Sequence, residues 1–578
     1  MKHRDLTKLQ IRAEISLMMQ KFNSLDEMSR EQQLKYISKL NSISNKDYVV
    51  EILAKELRKV NYQKGQIISS FLQEFATLEQ VQDILWSYIK SPEASDELKD
   101  LAGITLKNLG DNTDPEEFLN YLEDPKSIVD KETRKLLEIA SMNPEAQIDF
   151  LDFLFSLPET EQFNLVKSLH EDYSGEYIVN VIAPALESRQ ACHMDEYLIE
   201  ILGESRSIKA VPILQDIINF YNDEKLKKKA KISLNMLKLA GIDIENPQVF
   251  DKNHDITKVS DIYECHLTIP DGMGNQAVIA SRIKPNGDIL MMNIIINDVH
   301  GILDCFGFYG ISKDDFKRII ERFQEKTTRF LVVPEYTRYI LEEAEKINKV
   351  NNLPVPYEYV AWKIIIKDIQ PINYDREEMT REWADRLFLE ESKALHKFPD
   401  FDAWFFEDDD HGAIKDNIEK IVNKITEKKE FYLKNPNKLT EQIEHEITEL
   451  IPSVFDFSVR KMYKKRLQNT AILFNITELP HFRNIVASLA WAIAPESTFD
   501  IINNSFVRKI VKKTILEGLI RHEYNLYNQE QQKLNPWNQR KAGKEASIDS
   551  GDSKKQSIAE LIEVLCTHDT NNTENSRA

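Results

Sequence analysis

The first 240 residues carry a helical pattern of apolar positions that occurs twice. The stretch from Leu98 to Leu109 aligns without gaps with the stretch from Leu226 to Leu237, and both read L-x-x-x-A-x-I-[T/S]-L-x-x-L. An apolar helical run precedes each copy, at residues 81–89 and 211–221. Since apolar residues three and four apart share one side of a helix, each copy predicts a pair of packed helices.

The spacing of the two copies indicates a repeated architecture. Leu226 follows Leu98 by 128 residues, which corresponds to three steps of about 43 residues, the period of a HEAT repeat. Ala102 and Ala230 would let neighbouring helices approach closely, and the Leu and Ile positions are expected to fill the seams between pairs. Residues 60–242 therefore resemble HEAT repeats, with residues 1–59 as capping helices.

That resemblance implies an α-solenoid, a stack of helix pairs that offers an extended surface to partner proteins. The alternative is an irregular helical domain without a solenoid. The scarcity of glycine, 16 residues in 578, also favours helices over the turn-rich sandwiches and barrels.

Beyond Gly241 the pattern becomes strand-like. Apolar runs at 262–269, 277–283 and 289–297 predict three strands, and the run at 329–333 predicts a fourth. Asn286 and Gly287 stand between two of these runs and favour a tight hairpin turn, which needs positive φ values. Helices are predicted at 316–323 and after Pro334, so the order β-β-β-α-β-α predicts a small α+β domain at residues 255–350.

Helical periodicity returns at residue 355 and continues to about residue 530. Residues 531–578 are polar and predict a disordered tail, apart from a short apolar segment at 558–565. The sequence thus predicts a mainly α protein in four parts. These are a HEAT-like solenoid at 1–245, the α+β domain at 255–350, a helical domain at 355–530 and the tail at 531–578.

Charge and composition limit the functional classes. The net charge of −20 argues against nucleic-acid binding, which rests largely on Lys and Arg contacts with phosphate. Two basic groups, at 460–466 and 508–513, are interpreted as solvated helix faces. The sequence has neither an apolar run long enough to span a membrane nor an ordinary signal peptide. Four scattered cysteines indicate reduced thiols, so a cytoplasmic location is expected.

The loop between the first two predicted strands is the first candidate ligand-binding site. It contains Asp271, Gly272, Gly274 and Asn275. Glycines let the backbone approach a ligand, and an aspartate can hold a metal or a ribose hydroxyl. The loop runs from strand to strand rather than from strand to helix, however, so an ordinary hairpin turn explains the same residues.

The second candidate site follows the third predicted strand and contains Asp298, His300 and Asp304. Binding groups often lie at such strand ends. Cys305 could act as a nucleophile with His300 or His266 as its base, but no flanking motif supports this. A buried cysteine in a turn rich in Asp and Gly is the alternative.

No catalytic residue, metal site or cofactor motif is assigned. The acidic run from Glu407 to His411 lacks the spacing of a calcium loop and is interpreted as a helix cap. The sequence therefore favours a cytoplasmic, non-catalytic scaffold or adaptor that binds other proteins through its solenoid. The alternative is an enzyme or small-ligand-binding protein with its site in the loops at 270–276 and 297–307.

Overall fold

The structure is a computed structural model that describes residues 4–190, 192–245, 260–324, 327–406 and 412–534. Within these ranges the chain is mainly helical, with an antiparallel five-stranded sheet in its middle, so the predicted fold class is confirmed. Residues 246–259, between the predicted solenoid and the predicted α+β domain, fall outside the described residues. The acidic run at 407–411 and the tail from 535 onward also lie outside them.

Helices fill the chain from Lys8 to Leu239. Their starts carry capping side chains: Ser95 accepts a hydrogen bond from the backbone of one helix, and Asp223 does so for another. The helices are α1 (Lys8–Lys21), α2 (Arg30–Asn41), α3 (Lys46–Leu57), α4 (Tyr62–Phe75), α5 (Leu78–Ile89), α6 (Asp96–Asn108), α7 (Pro115–Leu119), α8 (Pro125–Met142), α9 (Pro144–Ser156), α10 (Glu159–Asp172), α11 (Gly175–Glu187), α12 (Asp195–Glu204), α13 (Ala210–Phe220) and α14 (Glu224–Leu239).

The two matching sequence copies fold as matching helix pairs, α5 with α6 and α13 with α14. Ala102 and Ala230 are completely buried, which confirms the expected close approach. The expectation for the isoleucines is wrong, because Ile104 and Ile232 are 38% and 53% exposed. Each isoleucine follows its alanine by two residues, which turns its side chain about 200° around the helix, away from the seam.

The Thr or Ser position of the motif points into the seam instead. Thr105 of α6 is hydrogen-bonded to Ser69 of α4, with 2.7 Å between their hydroxyl oxygens. Ser233 of α14 lies against Gly203 of α12, where an added Cβ would come within 2.8 Å of the Ser233 Cα. Small residues therefore let each second helix pack closely on the helix two before it.

The N-terminal helices α1 to α14, called the helical half below, contain two separate apolar cores. The first includes buried residues from Ile11 to Leu106, and the second includes buried residues from Leu137 to Leu237. Among the described residues between them, 107–136, none is a fully buried apolar member of either core. Helix α7 and most of α8 thus connect two stacks.

The sheet has five antiparallel strands in the order β4-β3-β2-β1-β5. The predicted turn at Asn286 and Gly287 joins β2 to β3, and Gly287 has a φ of +94°. The strands are β1 (Asp261–Thr268), β2 (Asn275–Ile283), β3 (Ile289–Asn297), β4 (Gly301–Ile311) and β5 (Arg329–Val332).

Strand β4 was not predicted, so the observed order is β-β-β-β-α-β-α. Three glycines, Gly301, Gly307 and Gly310, lower the strand propensity of this segment. It is also an edge strand that pairs only with β3, and its exposed Leu303 and Phe306 break the alternation of apolar and polar positions. The sequence therefore lacked the period-two signal that revealed the other strands.

The two faces of the sheet are covered differently. One face packs on α15 (Lys313–Gln324) through a small cluster around Met291, Phe316 and Ile320. The other face shares one continuous core with α16 (Pro334–Val350), α17 (Tyr357–Trp362) and the C-terminal helices. Those helices are α18 (Arg376–Trp383), α19 (Pro399–Asp402), α20 (Gly412–Glu427), α21 (Lys429–Lys434), α22 (Pro436–Val454), α23 (Phe457–Ile476), α24 (Pro480–Ile493) and α25 (Ser505–Leu534).

The helical half is attached to the sheet at two places. Helices α9 and α11 contact α17, and α9 also contacts β4. There the Val355 backbone amide donates to the Ser188 carbonyl over 2.7 Å. Far along the chain, the Arg30 backbone amide donates to Asp288 Oδ1 over 2.8 Å, at the β2–β3 turn. One side of the helical half is therefore occupied by the chain itself.

A helix that crosses a bilayer must be both long and apolar. Across the described ranges, every helix is either too short or too polar to cross a membrane.

One partly buried histidine, His396, is expected to make the stability of the helices after residue 355 depend on pH. His396 stacks on Phe506 with 5.0 Å between ring centroids. Neither of its ring nitrogens has a hydrogen-bond partner in the described structure. Burial lowers the pKa of His396 to about 3, with Lys509 and Lys513 acting in the same direction against Asp402.

We expect Gly203→Ala to lower the free energy of unfolding by about 1–3 kcal/mol, because the new Cβ meets the Ser233 backbone. Gly65→Ala is the matched control. Its Cβ meets only the movable end of the Leu101 side chain, so the gain in helix propensity should offset part of the cost. Urea unfolding of both variants measures the difference. Equal losses would contradict the close helix approach at Gly203.

We expect His396→Leu to flatten the acid side of the pH–stability curve. The folded pKa lies below the ordinary value near 6.5, so the wild type has the full contribution above pH 6.5 and loses it as the pH falls toward 3. The slopes should differ by at most about 1.4 kcal/mol per pH unit. Urea unfolding between pH 4 and 7 measures this. His300→Gln, at an exposed position, should follow the wild type, and parallel curves for His396→Leu would refute the expectation.

Candidate functional site

The first predicted loop is a hairpin turn held together by its own side chains. Asp271 Oδ1 accepts hydrogen bonds from the backbone amides of Met273 and Asn275, over 2.9 and 2.8 Å. Gly274 has a φ of +85°, a conformation that favours glycine. An added Cβ at Gly274 would also lie 1.9 Å from Asp298 Oδ1. The sequence features that suggested a ligand loop thus have a role in the fold.

Arg466 joins this loop to the second predicted loop. Its Nε donates to Asp298 Oδ2 over 2.7 Å, its Nη2 donates to Oδ1 over 3.0 Å, and its Nη1 donates to the Gly272 carbonyl. The Arg466 side chain is only 2% exposed. Burial alone would lower the pKa of Arg466, but the hydrogen bonds and charge of Asp298 outweigh it and raise that pKa. The two side chains form a buried ion pair.

The structure brings five of the seven predicted site residues together in the two loops that Arg466 joins. They are Asp271, Gly272, Gly274, Asn275 and Asp298.

The other two, His300 and Asp304, have exposed side chains. His300 lies in the turn before β4, and Asp304 lies on that edge strand. In the described ranges, no three His, Cys, Asp or Glu side chains are placed to share a metal ion.

Cys305 and His266 lie on β4 and β1, with β3 and β2 between them. Cys305 is buried, and burial together with Glu358 and Asp304 raises the pKa of its thiol well above the usual range. His266 is buried on β1, where its Nε2 lies 2.8 Å from Glu264 Oε2. A thiol in this environment is a poor nucleophile.

The interpretation of residues 460–466 as a solvated helix face is wrong in part. Arg466 is buried as described, and Lys464 is buried between Glu377 and Glu496, over 2.7 and 2.6 Å. One sequence signal could have revealed Arg466. Tyr463 and Thr470 stand three residues before it and four after it, so it lies on a buried face, where a cation needs a partner.

A cavity of about 40 Å³ lies beside the Arg466–Asp298 pair. An open cleft of about 730 Å³ adjoins it, and Asp298, Ile347 and Lys465 line both. The cleft separates α16 and the β3–β4 turn from α23. This junction is the first candidate binding surface, and it coincides with the loops selected from sequence.

Helix α8 is the second candidate surface. Val129, Leu136 and Ile139 are 46%, 64% and 38% exposed, although all three are apolar. A surface groove of about 680 Å³ follows the same helix. Its lining carries charges of both signs: Lys126, Lys131, Arg134 and Lys135 stand beside Asp124, Asp130 and Glu138.

No family model, no curated protein and no solved structure matches this chain. The fold defines a stack of helix pairs that rests on an antiparallel sheet, which in turn shares its core with the C-terminal helices.

We expect Asp298→Ala to lower the free energy of unfolding by about 3–5 kcal/mol, because it leaves the Arg466 guanidinium buried without its counter-charge. Asp304→Ala removes an exposed carboxylate and should change the stability by less than about 0.5 kcal/mol. Chemical denaturation of the two variants checks the difference. Similar small effects would show that the pair does not hold the junction together.

Proposed function

We propose that this protein is a cytoplasmic scaffold that binds a partner protein along helix α8. One observation carries the proposal: the exposed apolar row formed by Val129, Leu136 and Ile139. Their spacing of seven and three residues places the three side chains within about 80° of one another around the helix. Exposed apolar side chains grouped on one side of a water-facing helix are typical of a protein-binding surface.

The position of α8 supports this role. The helix begins in the segment that belongs to neither apolar core and reaches the second core at Leu137. Repeat proteins use such stacks of helices as extended binding surfaces. The sheet and α17 already cover the side of the stack that includes α9 and α11. The exposed side of α8 is therefore available to a partner.

Charge indicates the kind of partner. Lys131 pairs with Glu97 over 2.5 Å, and Lys135 lies over the Tyr62 ring. Lys126 and Arg134 have no ion pair with any described side chain. The partner surface is therefore an apolar segment flanked by acidic residues, which these cations would attract.

The cysteines support the cytoplasmic location. Cys192, Cys265 and Cys305 are all free thiols, and two of them are buried. Free buried thiols are typical of proteins in a reducing compartment.

We expect the double variant Leu136→Ser, Ile139→Ser to lose its partner without losing stability. Both side chains are exposed, so unfolding free energy should change by less than about 0.5 kcal/mol. The measurement is quantitative affinity capture with the full chain, comparing each recovered protein between the variant and the wild type. At least a tenfold loss of one specific protein is expected.

Leu239→Ser is the matched control, since Leu239 is an exposed leucine on α14 of the same helical stack. It should recover the same proteins as the wild type. Recovery of the same proteins in equal amounts by the double variant would show that α8 is not the binding surface.

A further inference from the structure

Lys465 has an exceptional environment among the basic residues of α23. Both of its neighbours along the chain form ion pairs. Lys464 pairs with Glu377 and Glu496, and Arg466 pairs with Asp298. Lys465 itself has neither an ion pair nor a hydrogen bond to the described part of the chain. It is half-buried and lines both the small cavity and the open cleft.

The carboxylates of the cavity are already engaged. Arg376 Nη2 lies 3.1 Å from Glu343 Oε2 and donates to the Tyr339 hydroxyl over 2.9 Å. Arg466 uses both oxygens of Asp298. Two carboxylates thus face three cations, and the ammonium of Lys465 is the unmatched charge.

The unmatched charge disfavours the protonated form of Lys465. Burial lowers the pKa of its amine, and the charges of Arg376 and Arg466 act in the same direction, against the opposing effects of Asp298 and Glu343. A half-buried ammonium without a counter-charge is unfavourable. An anion in the cleft would supply the missing charge.

The walls of the cleft indicate what such an anion carries. Val299, Ile347, Phe457 and Met462 line it with apolar surface, and the side chains of Val299 and Phe457 are exposed. Lys461, one turn before Lys465 on α23, stands at the exposed rim. A ligand that fits has one charged end for the lysine and an apolar body for the aromatic and aliphatic wall.

We propose that this cleft binds a small organic carboxylate, with the carboxylate beside Lys465 and the apolar body against Phe457 and Met462. A single negative charge matches the single unmatched ammonium. The small volume of the inner cavity, about 40 Å³, suits a head group rather than a whole ligand. This site is independent of the α8 surface, so either can fail without the other.

Octanoate is the probe, and 1-octanol is its uncharged counterpart. Isothermal titration of the full chain should show saturable binding of octanoate at one site and at least tenfold weaker binding of octanol. Lys465→Met keeps the apolar stem and removes the charge, so it should weaken octanoate at least tenfold and leave octanol unchanged. Lys465→Arg keeps the charge and should bind octanoate within about threefold of the wild type.

A second measurement needs no variant. Trinitrobenzenesulfonate modifies unprotonated amines, and mass spectrometry reports the extent at each lysine. Octanoate should slow the modification of Lys465 in the wild-type chain at least threefold, while octanol should not. Lys317, an exposed lysine of α15, should react at the same rate with either compound.

Three results would each overturn the proposal. The first is that Lys465→Met and the wild type bind octanoate with equal affinity. The second is that the wild type binds octanoate and octanol with equal affinity. The third is that octanoate shows no saturable binding and does not slow the modification of Lys465.

Discussion

The arrangement at the centre of the molecule depends on the buried pair of Arg466 and Asp298. A guanidinium removed from water is tolerated only where its charge and its donors are matched, and here Asp298 and the Gly272 carbonyl supply the match. Those partners come from two loops of the sheet, whereas Arg466 comes from a helix 168 residues further along the chain. The pair therefore fixes the position of α23 against the sheet. It thereby fixes the distance between α23 and the β3–β4 turn, which form opposite walls of the cleft.

Much of the fold could be predicted because it rests on periodicity. Buried Ala102 and Ala230 and the strands around Asn286 show their period in the sequence. The errors have two causes: strand β4 depends on tertiary context, whereas the position of Ile104 around its helix follows from its spacing from Ala102. Strand β4 pairs with one neighbour and is rich in glycine, so its identity depends on the edge of β3. The outward position of Ile104 follows from helix geometry, which an alignment of two copies does not show.

The candidate site was predictable to the same extent. Asn275 pairs with Asn297 across β2 and β3, so a hairpin with the predicted turn places the two loops side by side. His300 and Asp304 belong to the next strand, and their exposure depends on the strand that was missed. Lys465 could not be found by spacing, because its distinguishing property is the lack of a carboxylate that only the folded chain reveals.

The two proposed surfaces differ in how firmly the structure holds them. The cleft lies between elements that share one continuous core, the sheet, α16 and α23, so its shape exists before any ligand arrives. Helix α8 instead spans the gap between two cores, beside a segment with few buried apolar contacts among its described residues. Such a segment has low local stability and can adjust to a partner. Because the helical half is anchored to the sheet both near Arg30 and near Ser188, that adjustment is confined to the stretch between the anchors.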